Sequence, residues 1–272
     1  MAQARTIVVG NEKGGAGKST LAIHIATGLL HAGSSVAVVD LDVRQLSLAN
    51  FFANRRRWLE ANEADAPQPS VLTMGDAAAV TALPDDEQVA RFHDLFLEAA
   101  DTADYVLIDT PGGDTAISRA AHGKADQIVT PMNDSFVDFD ILGRVDPVTL
   151  ELVKPSLYAE AVWEARKAKM IAERVSMDWV VLRNRLAPSE AKNRRRLDER
   201  VNALAKRVGF RIGPGLRDRV IYRELFPFGL TVADLSPTIR PVSMSLTHVA
   251  ARQELRSLMQ CLGLEAELDQ AA

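Results

Sequence analysis

Residues 10–20, Gly10-Asn11-Glu12-Lys13-Gly14-Gly15-Ala16-Gly17-Lys18-Ser19-Thr20, constrain this chain more than any other stretch. The apolar run Ile7-Val8-Val9 precedes them and reads as a buried strand. Leu21 to Leu30 follows and reads as an amphipathic helix. Strand, glycine loop and helix in that order is the context of a phosphate-binding loop. The glycines let backbone N–H groups converge on phosphate oxygens without Cβ clashes. The helix N-terminus adds partial positive charge and Lys18 a full one, while Ser19 stands where a hydroxyl can ligate Mg²⁺. Asn11, Ala16 and Thr20 complete the set expected to wrap the nucleotide.

The loop departs from the GxxxxGK[ST] pattern at Glu12, where that pattern has glycine, and brings a second lysine, Lys13. Lys-Gly-Gly-x-Gly-Lys-Ser is the deviant Walker A signature, and through it the chain resembles the ParA/MinD family of ATPases. The resemblance implies ATP and Mg²⁺ as cofactors and a homodimer in the ATP state. In such a dimer Lys13, with Gly14 beside it, reaches the partner's nucleotide. A cation supplied in trans to a transferring phosphoryl group accelerates GTPases by ~10³–10⁵.

Further strand-like runs lie at Ser35–Val39, Tyr105–Ile108, Gln127–Val129 and Trp179–Leu182, with helical patterns between them. Short apolar strands alternating with helices predict an α/β P-loop NTPase fold, a mostly parallel twisted sheet covered on both faces. Ala61–Ser70 and Thr81–Glu87 read as loops too short to divide domains, so one domain over 1–272 is expected, with 262–272 fraying. Asp138 to Val175 reads as largely helical, interrupted near Pro147 and Pro155.

The single cysteine, Cys261, rules out a disulfide framework and a cysteine-held iron–sulfur cluster within one chain. No run approaches the ~20 apolar residues of a transmembrane helix, and strand one begins too early to leave room for a signal peptide. A cytoplasmic protein is therefore expected. The five histidines lack metal-ligand spacing and are expected to be structural or superficial.

Several carboxylates fall at strand ends, where α/β proteins bind ligands. Asp40 and Asp42 close the second strand. Asp109 follows four apolar residues as a Walker B acid expected to hold Mg²⁺ mainly through water. Pro111-Gly112-Gly113 then supplies a mobile turn, read as switch II. By the resemblance, Asp42 positions the attacking water, Asp40 supports the metal shell, and Lys13, Lys18 and Asp42 carry catalysis. The family's second-strand motif continues with a proline that is absent here, where Val43-Arg44-Gln45 follows Asp42 in the turn read as switch I. Asn184 ends a later strand. The resemblance makes it a reader of the adenine edge, and a strand-capping role is the competing expectation.

Thirteen basic and four acidic residues between Arg183 and Arg223 give that segment a net charge of +9, within a chain of −4. Leu197, Val201, Leu204 and Val208 form one apolar stripe, so a helix over Pro188–Phe210 is expected to carry cations on its other faces. Lys192, Arg194, Arg195, Arg196, Arg200, Lys206, Arg207, Arg211 and Arg219 then form a candidate surface for tracking DNA phosphates nonspecifically. The competing reading is a solvated helix face. Arg55-Arg56-Arg57 beside Trp58 is a smaller cluster, read as a partner contact or a bare surface. The acidic end at Glu265 and Glu267 argues against a membrane anchor.

The stretches 130–140 and 207–229 resemble a division-site-positioning branch of the same family more than the family at large. That resemblance implies the centromere-binding protein ParB, nucleoid DNA and the tubulin-like FtsZ as partners, with FtsZ polymerisation inhibited. It also implies association with the nucleoid and concentration near cell poles through ParB. The alternatives are a ParA-type segregation ATPase, a metabolic ligase with a related loop, and a DNA-binding protein with a structural nucleotide.

Overall fold

Alternation along the central strands divides the interior into two cores. In a computed structural model, which describes residues 4–133, 141–146, 152–184, 201–241 and 243–264, Ile7, Val9, Val38, Leu107, Val129 and Val180 face one core. Val8, Val39, Ile108, Ile128 and Val181 face the other. Strands buried on both faces require helices on both sides.

The strands are β1 (Arg5–Val9), β2 (Val36–Asp40), β3 (Ser70–Thr73), β4 (Tyr105–Asp109), β5 (Gln127–Asn133), β8 (Asp178–Asn184) and β9 (Arg211–Pro214). They form one seven-stranded sheet in the order β3-β2-β4-β1-β5-β8-β9, and every pairing in it is parallel. Helices α1 (Lys18–His31), α2 (Ser47–Ala61) and α9 (Leu246–Cys261) cover the first face. On the second lie α4 (Asp85–Thr102), α5 (Ala116–Lys124), α6 (Leu157–Glu173) and a helical stretch over 201–208, α7. Short helices α3 (Ala77–Thr81) and α8 (Val220–Leu225) complete the set. Among the described residues no helix is long and apolar enough to cross a membrane.

Four expectations change. Part of the stretch between Asp138 and Val175 is a strand pair: β6 (Gly143–Val145) and β7 (Leu152–Pro155) pair antiparallel before α6, whose first turn is capped by Ser156 accepting from Ala159 N–H. Helix α4 starts inside the expected loop at Thr81–Glu87, because Pro84 precedes three acids, Asp85, Asp86 and Glu87, that suit a helix N-terminus. The tail does not fray from 262. Leu262 and Leu264 are buried in the first core, and Arg5 donates to the carbonyls of Leu262 and Gly263; residues 265–272 lie outside the described residues.

The fourth change concerns Arg55, which is no surface cation. It is fully buried in α2 and donates to Asp234 Oδ1 at 2.7 Å and to the carbonyls of Gly229 and Pro67. Asp234 also pairs with His31 Nε2 at 2.7 Å, so three distant segments meet at one carboxylate. Burial by itself would raise the Asp234 carboxyl, but the His31 hydrogen bond and the Arg55 guanidinium hold it far below the usual carboxylate range. A depressed carboxylate stabilises the fold above its unfolded pKa of about 3.9 and loses that contribution as pH falls through the folded value.

Arg55→Met leaves Asp234 buried without its cation and is expected to cost ~3–5 kcal/mol in urea unfolding at neutral pH. Adding Asp234→Asn should recover part of the loss. Below about pH 4 the gap between Arg55→Met and the wild type should narrow, because a protonated Asp234 no longer needs the guanidinium.

Candidate nucleotide site

The phosphate loop leaves β1 at the centre of the sheet, between β4 and β5, where the strand order reverses. That is where an open parallel sheet forms its ligand crevice. Gly15 and Gly17 adopt left-handed backbone angles, φ 75° and 89°, and Gly17 caps α1. Gly17 is doubly constrained, since a Cβ there would lie 2.4 Å from Asn184 Nδ2. A cavity of about 580 Å³ opens over the loop, lined among others by Gly14, Lys18, Ser19, Thr20, Asp42 and Gly112. That volume suits a nucleotide-sized ligand.

Lys18 is buried and its Nζ donates to the Lys13 carbonyl at 3.2 Å. Burial lowers its pKa, partly offset by Asp109 and Asp42. Switch II lies against the same turn, the Gly113 N–H donating to the Glu12 carbonyl at 2.9 Å. Glu12 is itself raised by burial and by Asp114.

Asp109 is wholly buried at the end of β4, and neither carboxylate oxygen has a well-formed hydrogen bond to a described protein atom. Burial pushes it up to about 7, which the nearby Ser19 hydroxyl and Lys18 ammonium only partly counter. An uncompensated buried carboxylate beside a hydroxyl fits a hard cation. No cluster of three or more metal-ligating side chains exists among the described residues.

Asp40 is differently engaged. Its two oxygens accept from the backbone N–H groups of Asp42 at 3.1 Å and Ala49 at 3.0 Å. It therefore fixes switch I to the start of α2, while Asp42 lines the cavity and accepts from Gln45 N–H. Asn11 is likewise turned inward: its Oδ1 accepts from Lys13 N–H at 2.7 Å and its Nδ2 donates to the Pro131 carbonyl at 2.5 Å. Asn184 Nδ2 donates to the Ala16 carbonyl at 3.2 Å. In this arrangement Asn11 and Asn184 shape the loop.

The basic segment is less uniform than its charge suggests. Val201 and Leu204 are buried as the apolar stripe predicts, and Lys206 and Arg207 are exposed. Arg211 grips Asp178 through Nε and Nη2, and Arg219 grips Glu254 in the same way. Lys192, Arg194, Arg195, Arg196 and Arg200 lie outside the described residues.

Residues 5–266 match the family model described as ATPase MipZ. The chain belongs to the MipZ ATPase family. Protein ParA of Rhizobium radiobacter is 29% identical over 135 residues, 50% of this chain and 51% of that protein, so the alignment spans about half of each. An ATP complex of McdA from Cyanothece is similar in structure, with TM-score 0.61 and 18% identity over 96% of this chain and 97% of that one. The septum site-determining protein MinD of Pyrococcus horikoshii, complexed with Mg-ADP, gives TM-score 0.59 and 15% identity over 98% and 99%. At these identities the structural likeness speaks for the shared fold, and the family match carries the ATPase class.

Sequence reasoning missed Tyr158. Its buried hydroxyl donates to the Gly10 carbonyl at 2.8 Å and shares a hydrogen bond with Thr130, which also receives the Trp179 indole N–H. Nothing in the spacing of residues 10 and 158 signals that contact.

Asn184→Asp puts an acceptor against the Ala16 carbonyl in place of a donor. It is expected to weaken ATP and ADP binding equally, by about tenfold for one lost buried hydrogen bond. A fluorescent-nucleotide titration checks this. Equal loss for adenine and guanine nucleotides supports loop support over base reading.

Proposed function

We propose that this protein is an ATP-driven dimerising switch that marks where a cell does not divide. The observation that carries the reading is the family match over residues 5–266, joined to a loop that holds two lysines, Lys13 and Lys18, and an orphaned acid, Asp109. ATP and Mg²⁺ are the cofactors. Bound Mg²⁺ supplies charge neutralisation on the phosphates, held by Ser19 and, through water, by Asp109, with Asp40 behind switch I. Lys18 contacts the phosphates from its own loop. Asp42 orients the attacking water from the cavity wall. Lys13 reaches the nucleotide of a second copy, and Gly14 allows the close approach.

Dimerisation joins two basic surfaces into one DNA-binding face, which raises affinity through effective concentration. Lys192, Arg194, Arg195, Arg196, Arg200, Lys206 and Arg207 are the cations assigned to phosphate. Arg211 and Arg219 contribute less, because each already holds a carboxylate. ParB recruits the protein, nucleoid DNA retains it, and the ATP dimer inhibits FtsZ. Its location is cytoplasmic, nucleoid-associated and concentrated near the poles.

A second reading, a ParA-type segregation ATPase, is favoured by the ParA relative. The two part on FtsZ. Purified FtsZ should polymerise normally with the ADP-bound protein and poorly with the ATP-bound protein. Asp42→Ala should inhibit FtsZ persistently and remain dimeric on DNA. Absence of any effect in both nucleotide states would leave the segregation reading. Replacing Arg196, Arg200 and Arg207 together by Glu should abolish DNA retention in a salt-titrated binding assay while leaving ATP-driven dimerisation intact.

A further inference from the structure

Beneath the phosphate loop lies a buried imidazole that the nucleotide chemistry leaves unused. His122 sits in the last turn of α5, the helix that follows switch II directly and is capped by Thr115. It is 3% exposed, and neither ring nitrogen has a hydrogen-bond partner among the described protein atoms. Burial lowers it to about 4, so the ring is neutral near pH 7 despite nearby Asp114. A neutral imidazole carries one donor and one acceptor, and leaving either unmet inside the protein is unfavourable.

The ring is lodged against the loop's first residue. A Cβ on Gly10 would lie 2.7 Å from His122 Nε2 and 3.2 Å from the Tyr158 hydroxyl. Gly10 has an ordinary backbone conformation, so these two side chains, and not a turn, account for the glycine. His122 and Tyr158 meet edge to face with centroids 5.6 Å apart. They line one small cleft together with Asn11, Glu12, Thr110 and Ser118. The cleft thus joins the helix that follows switch II to the turn that carries Lys13. The Gly113 N–H to Glu12 carbonyl bond links the same two segments at their other end.

We propose that His122 is a positioning residue for ATP hydrolysis, holding the Gly10–Lys13 turn from α5 so that switch II and Lys13 move as one unit. The inference rests on the proposed role of Lys13 but does not need FtsZ, ParB or DNA. Its ring touches no reacting atom. Its effect belongs to the step that assembles the hydrolytic site, and phosphate binding by the far side of the loop is left alone. The orphaned nitrogens are the source of coupling. Any state in which they meet the polar groups that line the cleft with them is favoured over one in which they do not.

The test is steady-state ATPase kinetics of His122→Leu and His122→Gln beside the wild type, with thermal melts of each. His122→Leu keeps the bulk and removes the polarity. It should lower kcat about tenfold while KM for ATP changes less than about twofold. His122→Gln restores a donor and an acceptor and should recover at least about a third of the wild-type kcat. If the Leu variant melts early, His122→Asn, polar but too short to reach Gly10, takes its place and should resemble it. An unchanged kcat in the Leu or Asn variant overturns the proposal. So does a loss through KM alone, or a Gln variant as impaired as Leu, since each describes a purely structural residue. A wild type that hydrolyses ATP while staying monomeric would instead remove the role given to Lys13 in trans, and the His122 comparison would still be decided by kcat.

Discussion

A carboxylate buried without a partner is the constraint around which this molecule is built. Asp109 ends the strand next to β1, in register with Val9 and Asp40 across the sheet. Placing an acid there costs stability unless a cation comes. The fold meets part of that cost with Lys18 and Ser19 from α1 and leaves the rest to a ligand. The segments that surround this acid are the phosphate loop, switch I after β2 and switch II after β4.

Around that acid the polar network is arranged in backbone-directed bonds. Asp40 holds the N-terminal end of α2, Asn11 holds the Lys13 amide, Asn184 holds the Ala16 carbonyl, and Tyr158 holds the Gly10 carbonyl. Each is a side chain on a rigid strand or helix, or on the loop itself, securing a loop atom. Such a second ring preorganises phosphate donors at little cost during reaction. It also explains why residues that seem suited to ligand contact are turned toward the protein.

How much of this could be read from the sequence depended on where the determining contact lay. The five central strands were legible because burial on both faces imposes apolar runs. Edge strands β3 and β9 were not, since only Leu72 in one and Gly213 in the other are buried. The hairpin of β6 and β7 was legible only as an interruption near Pro147 and Pro155, because two strands of three and four residues show no alternation long enough to read. Arg55 is the sharpest failure. A triple-arginine run looks superficial, and its true partner lies 179 residues away. Loop chemistry was legible because it is local. The supports at Tyr158 and Asn184 were hidden as contacts for the opposite reason.

Those long-range supports bear on how nucleotide state could be transmitted. Helix α2 is held near its start by Asp40 next to switch I and at mid-length by Arg55 on the Asp234 carboxylate. Asp234 in turn holds His31 at the end of α1, the helix that begins at Lys18. A change at the phosphates thus meets two helices tied together through one carboxylate, at the far end of α1 and at mid-length of α2, and bending either one would strain a fully buried ion pair. Interiors packed this way favour discrete rearrangements over gradual deformation. Switch II and the turn at Glu12 are tied instead to each other, by the Gly113 N–H to Glu12 carbonyl bond, and to the sheet through Asn11 and Tyr158. The two segments thus form one connected face, on which Lys13 and Gly14 stand.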